Sequence, residues 1–399
     1  MRSFRMWHLA QASLGIVQWV GIAILLSPII IDRTGSGALL GQVMAVIGAA
    51  GLLAPLIGAT ADKLSCHRLF QKLALCIHFI AVLILYFAET TSFIYWTVGL
   101  MIGIGSVALL VLNPTFIMAG SKNQKEEGQS LASLFQCQFF GIIVTGLLIA
   151  AAEHFLIEPE EQLLILAALI LIVFLIVLAF PPPVIKGKME SDNPVENSQD
   201  TLAFSKVVWP LFLAAVFFSM FLSANLMELG PLLIKEVFMV EIGNSALGMA
   251  ASAFISLFML ESAGRWMQKS GPFKVWYAAQ VVYLIVGATF WYTAGKDVPQ
   301  LLPILLLVVL MQAMCWNDMI IPAIADRLSP ASPALTQGLL MLCMAGGFGI
   351  GAMLAGMSID QFGYASVFDL SLIGILIALA CIVWLTSLMK SGKPKASIA

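Results

Sequence analysis

The chain has 399 residues, of which 60% are hydrophobic and 11% charged, and its mean hydropathy is +0.98. A soluble domain carries about a quarter charged residues. This composition therefore excludes a single soluble domain and predicts an all-α protein that crosses a lipid bilayer many times. The formal net charge of −2 indicates no nucleic-acid partner.

Apolar segments of the roughly 20 residues that a membrane-spanning helix needs recur along the whole chain. The predicted spans 1 to 12 are 8–31, 38–58, 69–88, 93–119, 131–152, 162–181, 207–234, 243–263, 273–294, 299–323, 334–356 and 366–388. Span 1 follows "MRSFRMWHL" and lacks a small-residue cleavage pattern, so we expect it to be retained as a helix.

A polar stretch from Pro181 to Lys206 divides the spans into two sets of six. It is rich in Pro, Asn, Ser and charged residues, a composition that neither inserts into a bilayer nor needs to fold. The sequence therefore predicts an N-terminal six-helix half (1–181), a cytoplasmic linker (182–206) and a C-terminal six-helix half with a short cytoplasmic tail (207–399).

The basic residues indicate how the chain is oriented. Of the 20 lysines and arginines, all except Arg33, Lys235 and Lys296 fall in segments on the side of the membrane where the chain begins. Basic residues are enriched in cytoplasmic connections. We therefore expect a multi-pass protein of the bacterial inner (plasma) membrane with both termini in the cytoplasm.

The turn between spans 2 and 3, "GATADKLSCHR", places Gly58, Asp62, Lys63 and Arg68 at the cytoplasmic side. Glycine permits close helix approach, and an aspartate near a helix N-terminus can accept hydrogen bonds from free backbone N–H groups. Basic side chains in the same turn can meet this acid or a lipid phosphate. The pattern predicts a cytoplasmic gate, and the alternative is a connection that only fixes orientation.

A second version of this turn lies between spans 8 and 9 and contains Gly264, Lys269 and Gly271. Gln268 stands where an acid would be expected. Gly58 and Gly264 are 206 residues apart, which is the length of one six-span half. A repeat at this period predicts two similar halves and favours the gate over a purely orienting connection.

The first turn resembles the signature of the major facilitator superfamily: a glycine, three residues, an aspartate, a basic residue, one residue, a glycine and further basic residues. Ser65 replaces the second glycine here. The resemblance implies twelve helices in two pseudo-symmetric halves, with spans 1, 4, 7 and 10 around a central cavity. It also implies alternating access and a monomeric transporter of a small organic solute.

Carboxylates inside a bilayer are rare and usually functional. Glu228 in predicted span 7 and Asp318 in predicted span 10 are both flanked by polar residues or helix breakers. We expect them to take part in proton coupling. The alternatives are that Glu228 reaches water at the outer end of its span and that Asp318 pairs with a neighbouring helix.

Amides and indoles on the cavity-lining spans are candidates for solute binding. They suit a polar, partly flat solute, although an aromatic residue on a span is more often a packing or interfacial residue. The predicted solute-binding residues are Gln18, Trp19, Asn225, Trp316 and Asn317. Other neutral polar residues on spans include Gln11, Asn113, Gln136 and Gln138.

Several phrases, among them "FSMFLSANL" and "LSPASPALTQGLLMLCMAGG", are similar to the nucleoside–proton symporter branch of this superfamily. Span 7 of that branch supplies amides to the ligand, whereas Met227 and Gly230 stand at those places here. The drug–proton antiporter branch is similar in "NPTFIMAG", but its span 4 arginine is replaced by Gly99 and its span 5 glycine–proline motif is missing. The two differences from the antiporter branch favour symport or facilitated uptake over antiport.

The sequence predicts a secondary active transporter, with proton-coupled symport of a nucleoside-like solute as the leading hypothesis. The alternatives are a proton-driven exporter of a drug or siderophore and a membrane sensor without transport. The sequence contains no phosphate-binding loop, metal-ligand cluster or nucleophile elbow. We therefore expect no cofactor, no metal and no enzymatic activity.

Overall fold

The computed structural model describes residues 4–88, 91–120, 124–185, 202–328 and 333–391. Within these residues the chain is helical, without a β-strand, and twelve helices are long and apolar enough to span a membrane. The prediction of twelve spans is confirmed. Most of the predicted linker lies outside the described residues, which stop at 185 and resume at 202.

Helices α1 to α12 correspond to the predicted spans in order. Their bounds are Met6–Thr34 (α1), Gly37–Leu64 (α2), His67–Tyr86 (α3), Ser92–Gly120 (α4), Gln124–His154 (α5), Pro159–Ala179 (α6), Leu202–Ser223 continued by Ala224–Glu228 and Gly230–Phe238 (α7), Ile242–Ser270 (α8), Pro272–Thr293 (α9), Leu301–Leu328 (α10), Pro333–Phe362 (α11) and Ser366–Ser391 (α12).

Short turns separate several pairs of successive helices, and the turn between α1 and α2 has recognisable caps. Gly35 adopts a φ of 65° at the end of α1, a left-handed conformation that glycine tolerates without strain. Ser36 then begins α2, and its Oγ accepts a hydrogen bond from the N–H of Leu39 at 3.1 Å. Such tight connections make consecutive helices antiparallel, so α1 begins and α12 ends on one face of the bundle.

We call the face where α1 begins the amino-terminal face, and the other the opposite face. The opposite face carries the α1–α2, α5–α6, α7–α8 and α11–α12 connections. Close packing joins the two halves through α2 against α11 and α5 against α8. These two pairs are equivalent under the pseudo-symmetry that relates α1–α6 to α7–α12.

Helix α7 is interrupted near Glu228, where the sequence has polar residues and helix breakers. A π-helical turn, Ala224–Glu228, follows its first segment, and a new helical segment starts at Gly230 with Pro231 in its first turn. Proline has no N–H to donate and fits only the start of a helix. This break places Asn225 and Glu228 in irregular backbone, the usual setting of polar groups in membrane transport proteins.

Two single histidines on apolar helices, His8 and His78, have hydrogen-bonding partners inside the bundle. Nδ1 of His78 lies 2.9 Å from Oγ of Ser13, and its Nε2 lies 3.2 Å from Oγ of Ser106. Nδ1 of His8 lies 3.3 Å from Oγ of Ser133. These contacts connect α1, α3, α4 and α5, and so hold the first half together.

Candidate functional site

A cavity of about 530 Å³ lies between the two halves of the molecule. Helices α1 and α5 line it from the first half, and α8 and α10 line it from the second. The lining residues are Trp19, Ala132, Phe135, Gln136, Gln138, Phe139, Leu257, Cys315, Asp318 and Met319. The α5 and α10 residues come from the parts of those helices nearest the amino-terminal face, so the cavity occupies that side of the bundle.

Asp318 is the carboxylate on the cavity wall. Its side chain is exposed to the cavity. Cys315, about one helical turn earlier on α10, also lines the cavity but is nearly buried. Among the described residues, no basic group forms an ion pair with Asp318. A carboxylate without a fixed cation, inside an apolar bundle and open to solvent, can exchange a proton and can accept a hydrogen bond from a solute.

Two amides and three aromatic rings, one of them Phe135, also line the cavity. Gln136 is exposed, Gln138 is half-buried, and both lie on α5 beside Phe139, across the cavity from α10. Trp19 is 8% exposed and contributes its edge from α1. This arrangement offers hydrogen-bond donors and acceptors together with flat apolar surfaces, which suits a small polar ring compound.

Of the predicted solute-binding residues, the structure places Trp19 on the cavity wall and four others away from it. Gln18 is half-buried on α1. Asn317 is buried, and its Oδ1 accepts a hydrogen bond from Nε2 of Gln280 at 3.3 Å. Trp316 packs edge-to-face on Trp266 with ring centroids 6.0 Å apart. Asn225 is considered with Glu228 below.

Asn225 and Glu228 lie together in the π-helical turn of α7. Asn225 is fully buried, and neither atom of its amide has a hydrogen-bond partner within the described part of the chain. Glu228 is 5% exposed and is absent from the cavity wall. Unpaired buried amide atoms cost about 1–3 kcal/mol. Asn225 therefore has unsatisfied hydrogen-bonding capacity that a ligand or another conformation can satisfy.

The predicted gate residues lie on the amino-terminal face. Oδ1 of Asp62 accepts a hydrogen bond from Nε2 of His67 at 2.8 Å, rather than from Lys63 or Arg68. A Cβ built on Gly58 would meet Val111 at 3.5 Å, an ordinary contact. In this conformation the glycine therefore does not mark a close helix approach.

The glycines of the second gate turn do not mark a close helix approach either. A Cβ on Gly264 or on Gly271 would meet no atom within 4 Å, and Lys269 is exposed. Gly271 has a φ of 82°, so its role here is to begin the turn to α9. The gate function of both turns stays a prediction.

Polar contacts close the opposite face between the two halves. Asp360, at the end of α11, accepts hydrogen bonds from the N–H groups of Gly37 at 2.5 Å and Ala38 at 2.9 Å. Glu153, at the end of α5, accepts one from the N–H of Gly243. Each carboxylate thus binds the free N–H groups at the start of a helix in the other half, where the helix dipole also favours a negative charge.

These two contacts are pseudo-symmetric copies of each other. Gly37 and Gly243 are 206 residues apart, and Glu153 and Asp360 are 207 apart, the same period as the predicted gate turns. We call the pair the outer latches. Neither was predicted from the sequence, because each residue alone is an ordinary polar residue at a helix end.

A third contact between the halves connects α1 and α7. Nζ of Lys235 lies 3.5 Å from Oδ2 of Asp32 and 3.5 Å from Oε1 of Glu236. Nearby, burial and then the charges of Glu236, Asp32 and Asp360 raise the pKa of Tyr364 to about 12. The Tyr364 hydroxyl is therefore neutral at physiological pH, and the opposite face carries a mainly anionic cluster there.

Close packing accompanies the latches. A Cβ on Gly356 of α11 would lie 2.2 Å from the carbonyl oxygen of Gly37 and 2.8 Å from Cα of Gly41. Only glycine fits at such a backbone crossing. The opposite face is therefore closed by both hydrogen bonds and tight helix packing, whereas the cavity lies towards the amino-terminal face.

No protein-family model matches the sequence, and no curated protein matches it significantly. Solved structures do match the fold. A mutant of the nucleoside transporter NupG has a TM-score of 0.73 and 18% sequence identity, covering 97% of this chain and 100% of that chain.

Two other transporters show the same fold. A POT family transporter in complex with 5-aminolevulinic acid has a TM-score of 0.71 and 13% identity, covering 96% of each chain. A D-xylose-proton symporter has a TM-score of 0.68 and 13% identity, covering 95% of each chain. The chain therefore shares the fold of these three transporters, in agreement with the twelve-helix architecture that the resemblance of the first gate turn implied.

Proposed function

We propose that this protein is a secondary transporter that moves a small organic solute across the bacterial inner membrane together with protons. The observation that carries the proposal is the cavity between the halves while the opposite face is closed. This cavity holds the carboxylate of Asp318, which has no ion-pair partner among the described residues. A solute site that is reached from one side, between two pseudo-symmetric halves, is what alternating access requires. The solved transporters whose fold matches this chain support the same proposal.

The proposed orientation places the amino-terminal face in the cytoplasm, as the distribution of lysine and arginine predicts. The described conformation is then inward-facing. The halves 1–181 and 207–399 rock against each other, which separates the outer latches and closes the cytoplasmic side. In that outward-facing state we expect the gate turns around Asp62 and Lys269 to come together.

Asp318 is the proposed site of proton binding. Its protonation removes the negative charge of the cavity, which favours the reorientation of the loaded carrier through an apolar environment. Glu228 is the proposed second proton site. The break in α7 beside it gives this segment room to move when the opposite face opens.

The proposed solute is a flat polar compound, and nucleosides are the first class to test. Trp19 and Phe139 supply apolar surfaces, while Gln136, Gln138 and Asp318 supply hydrogen bonds. Asn225, Trp316, Asn317 and Gln18 are proposed to contribute in other conformations of the cycle. One chain encloses the whole cavity, so we propose a monomer.

Uptake in right-side-out membrane vesicles tests the function. With an imposed inward proton gradient, we expect a radiolabelled nucleoside such as uridine, or another small polar solute, to accumulate above its external concentration. An uncoupler should abolish this accumulation. Solute equilibration that is indifferent to the uncoupler would contradict proton coupling.

Weakening both outer latches should favour the outward-facing state. Each carboxylate at a helix N-terminus contributes about 0.3–1 kcal/mol, and more when partly buried. We expect the double variant Asp360→Asn with Glu153→Gln to increase the outward-facing population about tenfold. The measurement is the rate at which Cys315, as the sole cysteine, reacts with a membrane-impermeant maleimide added to intact cells.

Asp369→Asn is the matched control for this experiment. Asp369 accepts a hydrogen bond from Nε1 of Trp291 at 2.7 Å, but both residues belong to the second half. We expect its Cys315 reactivity to match that of the parent. The latch assignment is wrong if the double variant also reacts at the parent rate.

A further inference from the structure

A row of four buried or half-buried amides crosses the first half of the molecule and ends at the cavity. Nε2 of Gln71 on α3 donates to Oδ1 of Asn113 on α4 at 2.7 Å. Nδ2 of Asn113 donates to Oε1 of Gln11 on α1 at 2.8 Å. Nε2 of Gln11 donates to Oε1 of Gln138 on α5 at 3.1 Å. We call these four residues the amide chain.

The amide chain has a direction. In each of the three bonds the NH₂ group of one amide donates to the carbonyl group of the next amide towards the cavity, so the orientation of one amide determines that of the next. Consecutive hydrogen bonds of this kind polarise and strengthen one another. Gln71, Asn113 and Gln11 are each no more than 1% exposed, so water does not compete for these bonds.

The far end of the amide chain explains the direction. Oε1 of Gln71 is buried without a hydrogen-bond partner among the described residues. If all four amides were reversed, the buried NH₂ group of Gln71 would be unpaired instead. Buried N–H groups without a partner are rarer in proteins than carbonyl groups that are under-satisfied. The observed direction is therefore the less costly one.

The backbone of Gln138 is fixed as well. A Cβ on Gly15 of α1 would lie 2.2 Å from the Gln138 carbonyl oxygen, and one on Gly141 would lie 2.4 Å from that of Ala12. The two glycines thus bring α1 and α5 into backbone contact beside the Gln11–Gln138 hydrogen bond. The main chain of Gln138 is therefore held in place, and its side-chain carbonyl is held by Gln11.

We propose that the amide chain holds Gln138 as a hydrogen-bond donor on the cavity wall, and so selects solutes that present an acceptor at that position. The carbonyl of Gln138 is occupied by Gln11, which leaves its NH₂ group for the solute. Asp318 faces the same cavity and accepts hydrogen bonds when it is ionised. The solute class is therefore a compound with an acceptor, such as a ring carbonyl or ring nitrogen, at one end and a donor at the other.

This inference rests on the proposed function, but its first test needs no solute. Full-length protein labelled with ¹⁵N-glutamine is studied by NMR in detergent micelles, and the Gln138 side-chain signal is identified by its loss in Gln138→Met. We expect the Gln138 NH₂ hydrogens to exchange rapidly with water and those of Gln11 to exchange slowly. Protected Gln138 hydrogens would overturn the proposal, because they would show the opposite direction.

The Gln71→Met variant removes the far end of the amide chain without touching the cavity. We expect the Gln138 signal to shift, because the loss of the first donor removes its polarising effect on the remaining three amides. Gln162→Met is the matched control: Gln162 is a buried amide of the same half, but its Nε2 donates to the carbonyl oxygen of Ile157 in the α5–α6 connection. It should leave the Gln138 signal unchanged. An unaffected Gln138 signal in Gln71→Met would overturn the proposal.

Transport gives an independent readout, with uridine as the probe. We expect Gln71→Met to raise the KM about three- to tenfold and to leave kcat within about twofold, because Gln71 positions a binding group and contacts no solute. Equal KM changes in Gln71→Met and Gln162→Met would contradict the positioning role. If Gln71→Met changes the Gln138 signal but no solute is transported, the proposed function is wrong, whereas the inference about the amide chain is retained.

Discussion

Asp318→Asn should abolish proton-driven accumulation of the solute while preserving solute exchange. Asparagine keeps the size of the side chain and, like the protonated acid, offers a donor and an acceptor, but it cannot take up or release a proton. Asp318 is the carboxylate on the cavity wall, and it has no ion-pair partner among the described residues. We expect accumulation against a gradient to fall at least about tenfold, to equilibrium. Counterflow in vesicles preloaded with the unlabelled solute should stay within about threefold of the parent.

Two variants make this result specific. Asp297→Asn replaces an exposed aspartate in the α9–α10 connection and should accumulate solute like the parent. Glu228→Gln tests the proposed second proton site, and we expect a smaller loss because Glu228 is absent from the cavity wall. Full accumulation by Asp318→Asn would exclude Asp318 as the coupling residue.

Gly356→Ala should prevent closure of the opposite face. The added Cβ would lie 2.2 Å from the carbonyl oxygen of Gly37, a distance that real Cβ atoms do not adopt, so α2 and α11 must separate. Overpacking of this kind costs about 1–3 kcal/mol, and here the cost applies to the inward-facing state alone. We expect a tenfold or greater increase in Cys315 labelling from outside and a comparable loss of transport.

Gly346→Ala is the matched control on the same helix. Its Cβ would lie 3.5 Å from the ring of Phe217, an ordinary contact. Labelling and transport in this variant should stay within about twofold of the parent. If Gly356→Ala transports normally, the tight crossing of α2 and α11 is not required for the cycle.

The sequence was sufficient for the architecture. Apolar segments of spanning length predict all twelve helices, and the 206-residue period of the Gly58 and Gly264 turns predicts the two similar halves. These signals are local or repetitive, so they can be recognised without knowledge of the tertiary contacts. Asp318 and Trp19 were also found, because an acid or an indole stands out within an apolar segment.

The other residues of the site could not be predicted, because their positions depend on which helices pack against each other. Gln136 and Gln138 are visible in the sequence as amides on span 5, but nothing local indicates that α5 faces the cavity. Asn225 and Asn317 look equivalent to them, yet the structure places neither on the wall. The outer latches likewise need the contact of α5 with α8 and of α11 with α2, which only the packed halves define.

The pH inside sealed proteoliposomes, followed with an entrapped dye, tests proton-coupled transport most directly. Nucleosides, sugars, amino acids and organic acids are added in separate pools. One pool should acidify the interior of liposomes containing the parent protein and leave the pH unchanged with Asp318→Asn. If the protein is folded and no pool changes the internal pH, or if a pool makes the interior more alkaline, proton-coupled symport is contradicted.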